Sequence, residues 1–325
     1  MNKKLKGNLM LLLTALIWGS SFVAQRAGMD YIEPFTFNGI RSLIGGLVLI
    51  PVIFLLTRTS LGNGGAEAEN QPLPSDKKAE RKTLIIGGIS CGIVLFIASS
   101  LQQIGVVYTT AGKAGFITAL YVIIVPIIGI FVGKKIRPVV WLCVVLSIVG
   151  LYLLCMKDGF SLGKGDLLVL LCAVAFALHI MVIDHFSPKT DGVKLSCIQF
   201  LVCGLISLVP MFAVETPVLS QILDCYVPIL YAGVLSCGVA YTLQVVAQKD
   251  TNPTIAAMLL SLESVFAVIT GVIILHEQVS ARELIGCVMM FAAIIIAQLF
   301  PSQDEHEKQQ SQDSKEPENS KTQQP

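Results

Sequence analysis

Ten stretches of about 20 apolar residues each run through this chain, and that pattern leaves few folds open to it. Crossing roughly 30 Å of hydrocarbon at about 1.5 Å per residue takes a helix of that length. The segments are 8–28, 34–57, 84–107, 113–133, 138–156, 165–184, 193–213, 226–248, 254–276 and 281–300. Continuous runs exclude a membrane β-barrel, whose strands alternate apolar and polar residues in shorter units. Composition agrees: 54% of residues are hydrophobic, 14% are charged, and the mean hydropathy is +0.74. A soluble core cannot absorb that much apolar surface, so lipid must cover part of it.

The expected fold class is therefore an all-α membrane protein with ten transmembrane helices. Lys3, Lys4 and Lys6 followed by Leu9 to Ile17 look like the start of a signal peptide. No small-x-small cleavage site follows, and this stretch reads as an uncleaved first span. Two regions fall outside the membrane: a polar loop at 58–83, with five Lys and Arg, and a tail at 301–325 that lacks aliphatic and aromatic residues after Ser302. The tail reads as disordered. With the N-terminus inside, the cytoplasmic loops and termini hold 17 Lys and Arg and the opposite face holds 4. By the positive-inside rule both termini are cytoplasmic, in a multi-pass protein of the plasma membrane.

A net charge of +1 excludes a nucleic-acid partner, which requires clustered cations. Nine cysteines without a C-x-x-C pair, eight of them within apolar segments, read as small buried hydrophobes and not as a metal site. No G-x-x-x-x-G-K-[ST] run or H-E-x-x-H pair is present, and no cofactor, metal or catalytic residue is expected.

The chain also repeats itself. A shift of 142 residues aligns 98–142 with 240–284 without a gap, with nine identities, including Gln102/Gln244, Leu120/Leu262 and Gly129/Gly271. Upstream, a shift of 158 pairs Leu43 with Leu201 and Gly46-Leu47 with Gly204-Leu205. Five spans per copy is an odd number, so the second copy enters the membrane inverted. The expected domains are a five-helix repeat at 1–156, which includes the 58–83 loop, a second at 157–300, and the tail. Inverted repeats of this kind hold substrate near the midplane.

Residues Ala15-Leu16-Ile17-Trp18-Gly19-Ser20-Ser21-Phe22, Arg41, Ser261-Leu262-Glu263 and His276-Glu277 together resemble the EamA-like family of the drug/metabolite transporter superfamily. The resemblance covers the chain to about residue 300. It implies ten helices in two inverted repeats around a central cavity, and substrates such as amino acids or other small metabolites, often exported. Two positions depart from the family pattern. Ser264 stands where many relatives have Pro, which removes the reason for a kink there, and Lys134-Lys135 stands where many have an acid.

Polar groups inside a bilayer cost several kcal/mol unless paired or facing a wet cavity, so they mark the candidate site. Near mid-depth lie Trp18, Ser21, Tyr121, Phe176, His179 and Glu263, with Gln25 on the helical face of Trp18 and Ser21. These seven are the expected substrate-binding residues. The repeat pairs Trp18 with Phe176, Ser21 with His179 and Tyr121 with Glu263. Glu263 is the one carboxylate deep in a span. It reads either as a group that binds a proton or a substrate amine, or as a hydrogen-bonded packing residue. His179 has a similar pair of readings, site residue or satisfied core histidine. Arg41, Gln102, Gln199 and Gln244 are the expected access-path residues, with Arg41 either holding an anion or snorkelling to the interface. Helices 5 and 10 carry few polar residues and read as scaffold. The Gly88-x-x-x-Gly92 and Gly129-x-x-x-Gly133 spacings permit close helix packing, within the bundle first and in a homodimer second.

The expected function is secondary transport of a small metabolite by alternating access, coupled to protons through Glu263. The alternatives are a passive channel, which needs a continuous polar lining, and a membrane-embedded sensor.

Overall fold

The computed structural model describes residues 3–62, 74–109, 111–134, 136–155, 163–275 and 280–299. Among them there is no strand. The helices are α1 (Lys3–Gly28), α2 (Pro34–Gly62), α3 (Pro74–Tyr108), α4 (Ala111–Ala119), α5 (Tyr121–Phe131), α6 (Pro138–Cys155), α7 (Lys164–Phe186), α8 (Gly192–Val214), α9 (Leu219–Asp224), α10 (Tyr226–Leu230), a π-helical segment (Tyr231–Ala240), α11 (Tyr241–Gln248), α12 (Pro253–Leu260), α13 (Glu263–Leu275) and α14 (Ala281–Leu299).

Seven helical stretches are long and apolar enough to cross a membrane: Leu5–Gly28, Pro34–Arg58, Lys78–Tyr108, Ala114–Phe131, Lys164–Lys189, Gly192–Val214 and Tyr226–Gln248. Pro138–Leu153 and Pro253–Ala267 are apolar but shorter. The loop expected at 58–83 is narrower, because α2 runs on to Gly62 and α3 begins at Pro74. The tail, His276-Glu277 and Lys135 lie outside the described residues.

The bundle exposes many large apolar side chains and buries a set of polar ones among an apolar core. Phe131, Val209, Phe212, Leu142 and Leu284 are all more than half exposed, while Gln103, Gln199, Ser207 and Ser261 have no exposed surface. Some buried hydroxyls are satisfied along their own helices: Ser99 donates to the Leu95 carbonyl at 2.7 Å and Ser207 to that of Cys203 at 2.8 Å. The eight described cysteines are all free thiols.

Glycine lets the helices approach closely. α3 lies along α7 and α8, α2 along α8, and α6 along α14. Gly88 and Gly92 of α3 sit against Ile198 and Val202 of α8, so that spacing is spent inside the bundle. The α2–α8 contact is reciprocal. Gly46 faces Leu201, and Gly204 faces Leu43. Gly133 has a different role from the packing expected of it. At φ +84° it ends α5, with its N–H donating to the Ile130 carbonyl and the Lys134 N–H reaching back to that of Gly129 at 2.8 Å. Those two bonds form a Schellman cap.

Three departures from regular α-helix fall within apolar segments. α4 gives way to α5 at Leu120, and α12 to α13 at Ser261-Leu262, where the backbone turns through i→i+3 bonds such as Leu120 N–H to Ile117 O and Leu262 N–H to Leu259 O. The Pro that many relatives carry is therefore not required for an interruption before Ser264. The third departure is the ten-residue π segment between α10 and α11. Runs of π-helix are rare and cluster at functional sites. At its end the Ala240 carbonyl accepts from the Thr14 hydroxyl of α1 at 3.0 Å.

Candidate functional site

These three irregular segments converge on one cavity. Its wall takes Trp18, Phe22 and Gln25 from α1, Arg41 from α2, Gln102 from α3, Thr118 from α4 and Tyr121 from α5. From the later half of the chain come Phe176, His179 and Ile180 of α7, Ser236 of the π segment, Tyr241 and Gln244 of α11, and Glu263 of α13. No lining residue comes from α6 or α14.

Nine of the eleven residues singled out by sequence are in this wall. Ser21 is not. In an α-helix each residue advances about 100°, so position i+4 lies about 40° from residue i and i+3 about 60° on the other side. The wall takes Phe22 with Trp18 and Gln25, and Ser21 is turned into the packed bundle, 1% exposed. Gln199 is also outside the wall. It stands behind it, with its Oε1 3.1 Å from the His179 Nε2, and so fixes the ring. Arg41, Gln102 and Gln244, expected along an access path, share the cavity with the midplane residues.

Tyr121 and Glu263 begin the helical halves that follow the two breaks. The Tyr121 hydroxyl donates to Glu263 Oε1 at 3.1 Å. Both side chains are fully enclosed, at 2% and 3% exposed, yet border the cavity. As the first residue of α13, the Glu263 carboxylate also stands at the positive end of that helix dipole.

Arg41 is 5% exposed, so it does not snorkel. Its Nε and Nη2 both donate to Asn38 Oδ1, at 3.2 and 3.1 Å, and its guanidinium lies 5.5 Å from the Phe37 ring centre. Asn38 in turn donates to Ser100 at 3.4 Å and Ser207 at 3.2 Å, which locks its oxygen toward the arginine and ties α2 to α3 and α8. No carboxylate pairs with Arg41 among the described residues.

Sequence reasoning missed five wall residues, Phe22, Thr118, Ile180, Ser236 and Tyr241, of which Tyr241 ties the aromatic wall together. Its ring packs 4.5 Å from Trp18, 5.2 Å from Phe200 and 6.0 Å from His179, centre to centre. Those tilted and edge-on contacts make a rigid aromatic wall. Gln102 donates to Thr118 at 3.2 Å, and Gln103 reaches the Gln25 carbonyl at 3.3 Å. Trp18 Nε1, Gln25 Oε1 and Gln244 Oε1 are buried without a protein partner. A polar ligand or water in the cavity would satisfy them. The described residues hold no cluster of His, Cys, Asp or Glu fit for a metal ion. The site is thus a chamber with aromatic walls, one cation, one carboxyl group and several amides.

Comparison with known proteins points the same way. The model of the EamA-like transporter family matches this chain twice, at residues 5–156 and 163–298. An uncharacterized transporter of Archaeoglobus fulgidus is 33% identical over 301 residues, covering 91% of this chain and 87% of its own. The uncharacterized transporter YoaV of Bacillus subtilis is 23% identical, with 88% and 94% covered. The chloroplastic WAT1-related protein At3g02690 of Arabidopsis thaliana is 24% identical, with 86% and 66% covered. A solved crystal structure superimposes with a TM-score of 0.68 at 18% identity, covering 90% of this chain and 96% of that one, and so shares its fold. The chain belongs to the EamA-like transporter family of the drug/metabolite transporter superfamily.

Proposed function

We propose that this protein is a secondary carrier that moves a small metabolite, an amino acid or related compound, across the plasma membrane by alternating access. On this reading it has ten spans in two inverted five-helix repeats, 1–156 and 157–300, with a cytoplasmic tail at 301–325 and both termini inside. The single observation that carries the reading is the chamber walled by both halves of the chain and bordered by helix breaks at equivalent positions.

The support is structural as well as sequential. Leu120 and Leu262, which a shift of 142 aligns, are both at breaks. Tyr121 and Glu263, aligned by the same shift, touch each other. A residue in contact with its own counterpart is what a two-fold axis produces. Gly46 on Leu201 and Gly204 on Leu43 repeat that relation in α2 and α8. The double match of the family model agrees with two copies. Discontinuous helices meeting at such an axis characterise carriers whose repeats rock about a central site. The lining includes aromatic and aliphatic walls and so lacks the continuous polar track of a channel.

Export is the direction we favour, with Glu263 as the proton-coupling group. The test is counterflow in liposomes with a panel of radiolabelled amino acids. A carrier gives saturable uptake, stimulated by the same compound trapped inside. A non-saturable flux, indifferent to the trapped compound, sinks the reading in favour of a pore. For the coupling, Glu263→Gln retains exchange and loses acceleration by an imposed pH gradient; unchanged pH dependence removes Glu263 from that role. Cysteine labelling that placed the two termini on opposite faces of the bilayer would contradict the inverted arrangement.

A further inference from the structure

The chamber holds a buried cation whose protein partners leave its charge uncompensated. The Arg41 guanidinium has five N–H donors, and those that meet protein converge from Nε and Nη2 on a single neutral acceptor, Asn38 Oδ1. Phe37 covers one side of the group at 5.5 Å. Glu263, the carboxyl group of the same chamber, is engaged by Tyr121, and no ion pair joins it to Arg41. A charge shut away from water without a counter-charge is costly, by several kcal/mol, and is retained where something charged is meant to meet it. Asn38 is itself held by Ser100 and Ser207, so the arginine is braced on its protein side while it lines the chamber on the other. That is the geometry of a fork presented to a ligand and not of a structural ion pair.

We propose that Arg41 is the subsite for the anionic end of the transported molecule, and that this end is a planar carboxylate. The inference rests on the carrier reading and narrows it. Substrates carry a carboxylate, and compounds that are purely cationic, such as quaternary amines or polyamines, are excluded by the arginine. An amine on the same molecule would turn toward Glu263, the carboxyl group of the same wall. Gln25 and Gln244, whose buried carbonyl oxygens lack a protein donor, supply acceptors for that second end.

The test uses the full-length protein in detergent with Trp141→Phe, leaving Trp18, which lines the chamber, as the sole tryptophan. Trp18 emission and thermal stability are followed at constant ionic strength during titration with acetate, acetamide, chloride or inorganic phosphate. Acetate is expected to give a saturable response and raise the unfolding temperature, and acetamide, its neutral isostere, to do neither. Arg41→Gln weakens the acetate response at least tenfold. Arg41→Lys, which keeps the charge without the fork, falls between the two.

No saturable response to acetate by either measure overturns the proposal, as does an equal response to acetamide. A phosphate or chloride response that saturates at lower concentration than acetate overturns the carboxylate assignment in favour of an inorganic anion. Should Arg41→Gln fail to fold, the acetate–acetamide comparison and Arg41→Lys still decide the matter. Counterflow that remains saturable while acetate fails would reject the subsite and leave the carrier standing. Acetate binding without counterflow would do the reverse.

Discussion

The reciprocal glycine contact between α2 and α8 makes a quantitative prediction. A Cβ placed at Gly46 would lie 2.8 Å from Leu201 Cδ2 and 3.2 Å from the Leu201 backbone nitrogen; at Gly204 it would lie 2.7 Å from Leu43 Cγ and 3.0 Å from the Leu43 nitrogen. Comfortable separation between nonbonded carbons is about 3.5–4.0 Å. A leucine tip can swing aside, but a helix backbone cannot, so each substitution to alanine pushes the helices apart. Overpacking of this kind costs about 1–3 kcal/mol, and alanine returns up to about 1 kcal/mol through its higher helix propensity. The net loss is about 1–2 kcal/mol for Gly46→Ala, and the same for Gly204→Ala. Both methyl groups wedge the same crossing from opposite sides, so the gap opened for the first admits the second. The double variant should then lose about as much as either single one, a coupling of roughly 1–2 kcal/mol. Gly39→Ala on the same helix is the control: its nearest neighbour would be Ser207 Cβ at 3.4 Å, an ordinary contact, so it is neutral or stabilising. Unfolding by SDS titration in mixed micelles measures all four. Strictly additive losses, or a Gly39→Ala protein less stable than Gly46→Ala, would refute a reciprocal α2–α8 contact.

Two other predictions concern helix ends. Glu215 accepts from the backbone N–H groups of Phe35 and Thr36, each at 2.7 Å, and from the Thr36 hydroxyl at 2.8 Å, so it caps α2 from the end of α8. Glu215→Ala lowers stability by about 1–2 kcal/mol, and Glu215→Gln, which keeps an acceptor, recovers part of that in the same unfolding assay. Gly133→Ala meets no neighbour but must hold φ +84°, which costs about 1–2 kcal/mol, and Gly133→Asn costs less because asparagine tolerates that region. Equal stabilities of the Ala and Asn variants would mean that the Schellman cap is not what ends α5.

Sequence revealed much of the architecture because lipid makes harsh demands: a long apolar run admits little but a helix, and a buried polar residue stands out against it. Trp18, Tyr121, His179 and Glu263 were legible for that reason. The breaks were not. Leu120 and Leu262 are strong helix formers, and nothing in their chemistry says that the helix stops there; only their alignment under the repeat marks them as a pair. Tyr241 was hidden differently. It lies in a segment whose π-helical winding shifts the facing of residues after it, so a phase counted at 3.6 residues per turn goes astray. Its counterpart under the repeat is Ser99, a small hydroxyl that gives no hint of an aromatic wall. Ser21 failed on angular phase alone, which spacing rules resolve only to a neighbouring residue. Arg41 was left between two readings, because depth along a helix says nothing of which way a long side chain turns.

The same repeat bears on how such a chamber would open. Where α3 meets α7, Gly105 and Gly165 allow close approach, and the Thr109 hydroxyl donates to Asp166 at 2.6 Å. The equivalents of Gly165, Asp166, Gly105 and Thr109 are Gly7, Asn8, Ala247 and Thr251, and a Cβ at Gly7 would lie 2.9 Å from the Thr251 hydroxyl and 3.6 Å from the Ala247 carbonyl. One chain thus builds a glycine-lined junction with a neighbouring hydroxyl twice. Alternating access requires the two closures to be nearly equal in free energy, since a bias of about 5.5 kcal/mol would be needed to drive a two-state equilibrium from one side to the other. On the carrier reading proposed above, duplicated junctions would supply that near-equality, and the differences between the copies the bias. At the first junction the Asp166 carboxylate accepts from the Thr109 hydroxyl, and at the second the Thr251 hydroxyl has no partner among the described residues, so the two copies differ in hydrogen bonding. On the same reading, the α3–α7 junction would be the more strongly bonded of the two, and substrate in the chamber would have to offset that difference before it opened.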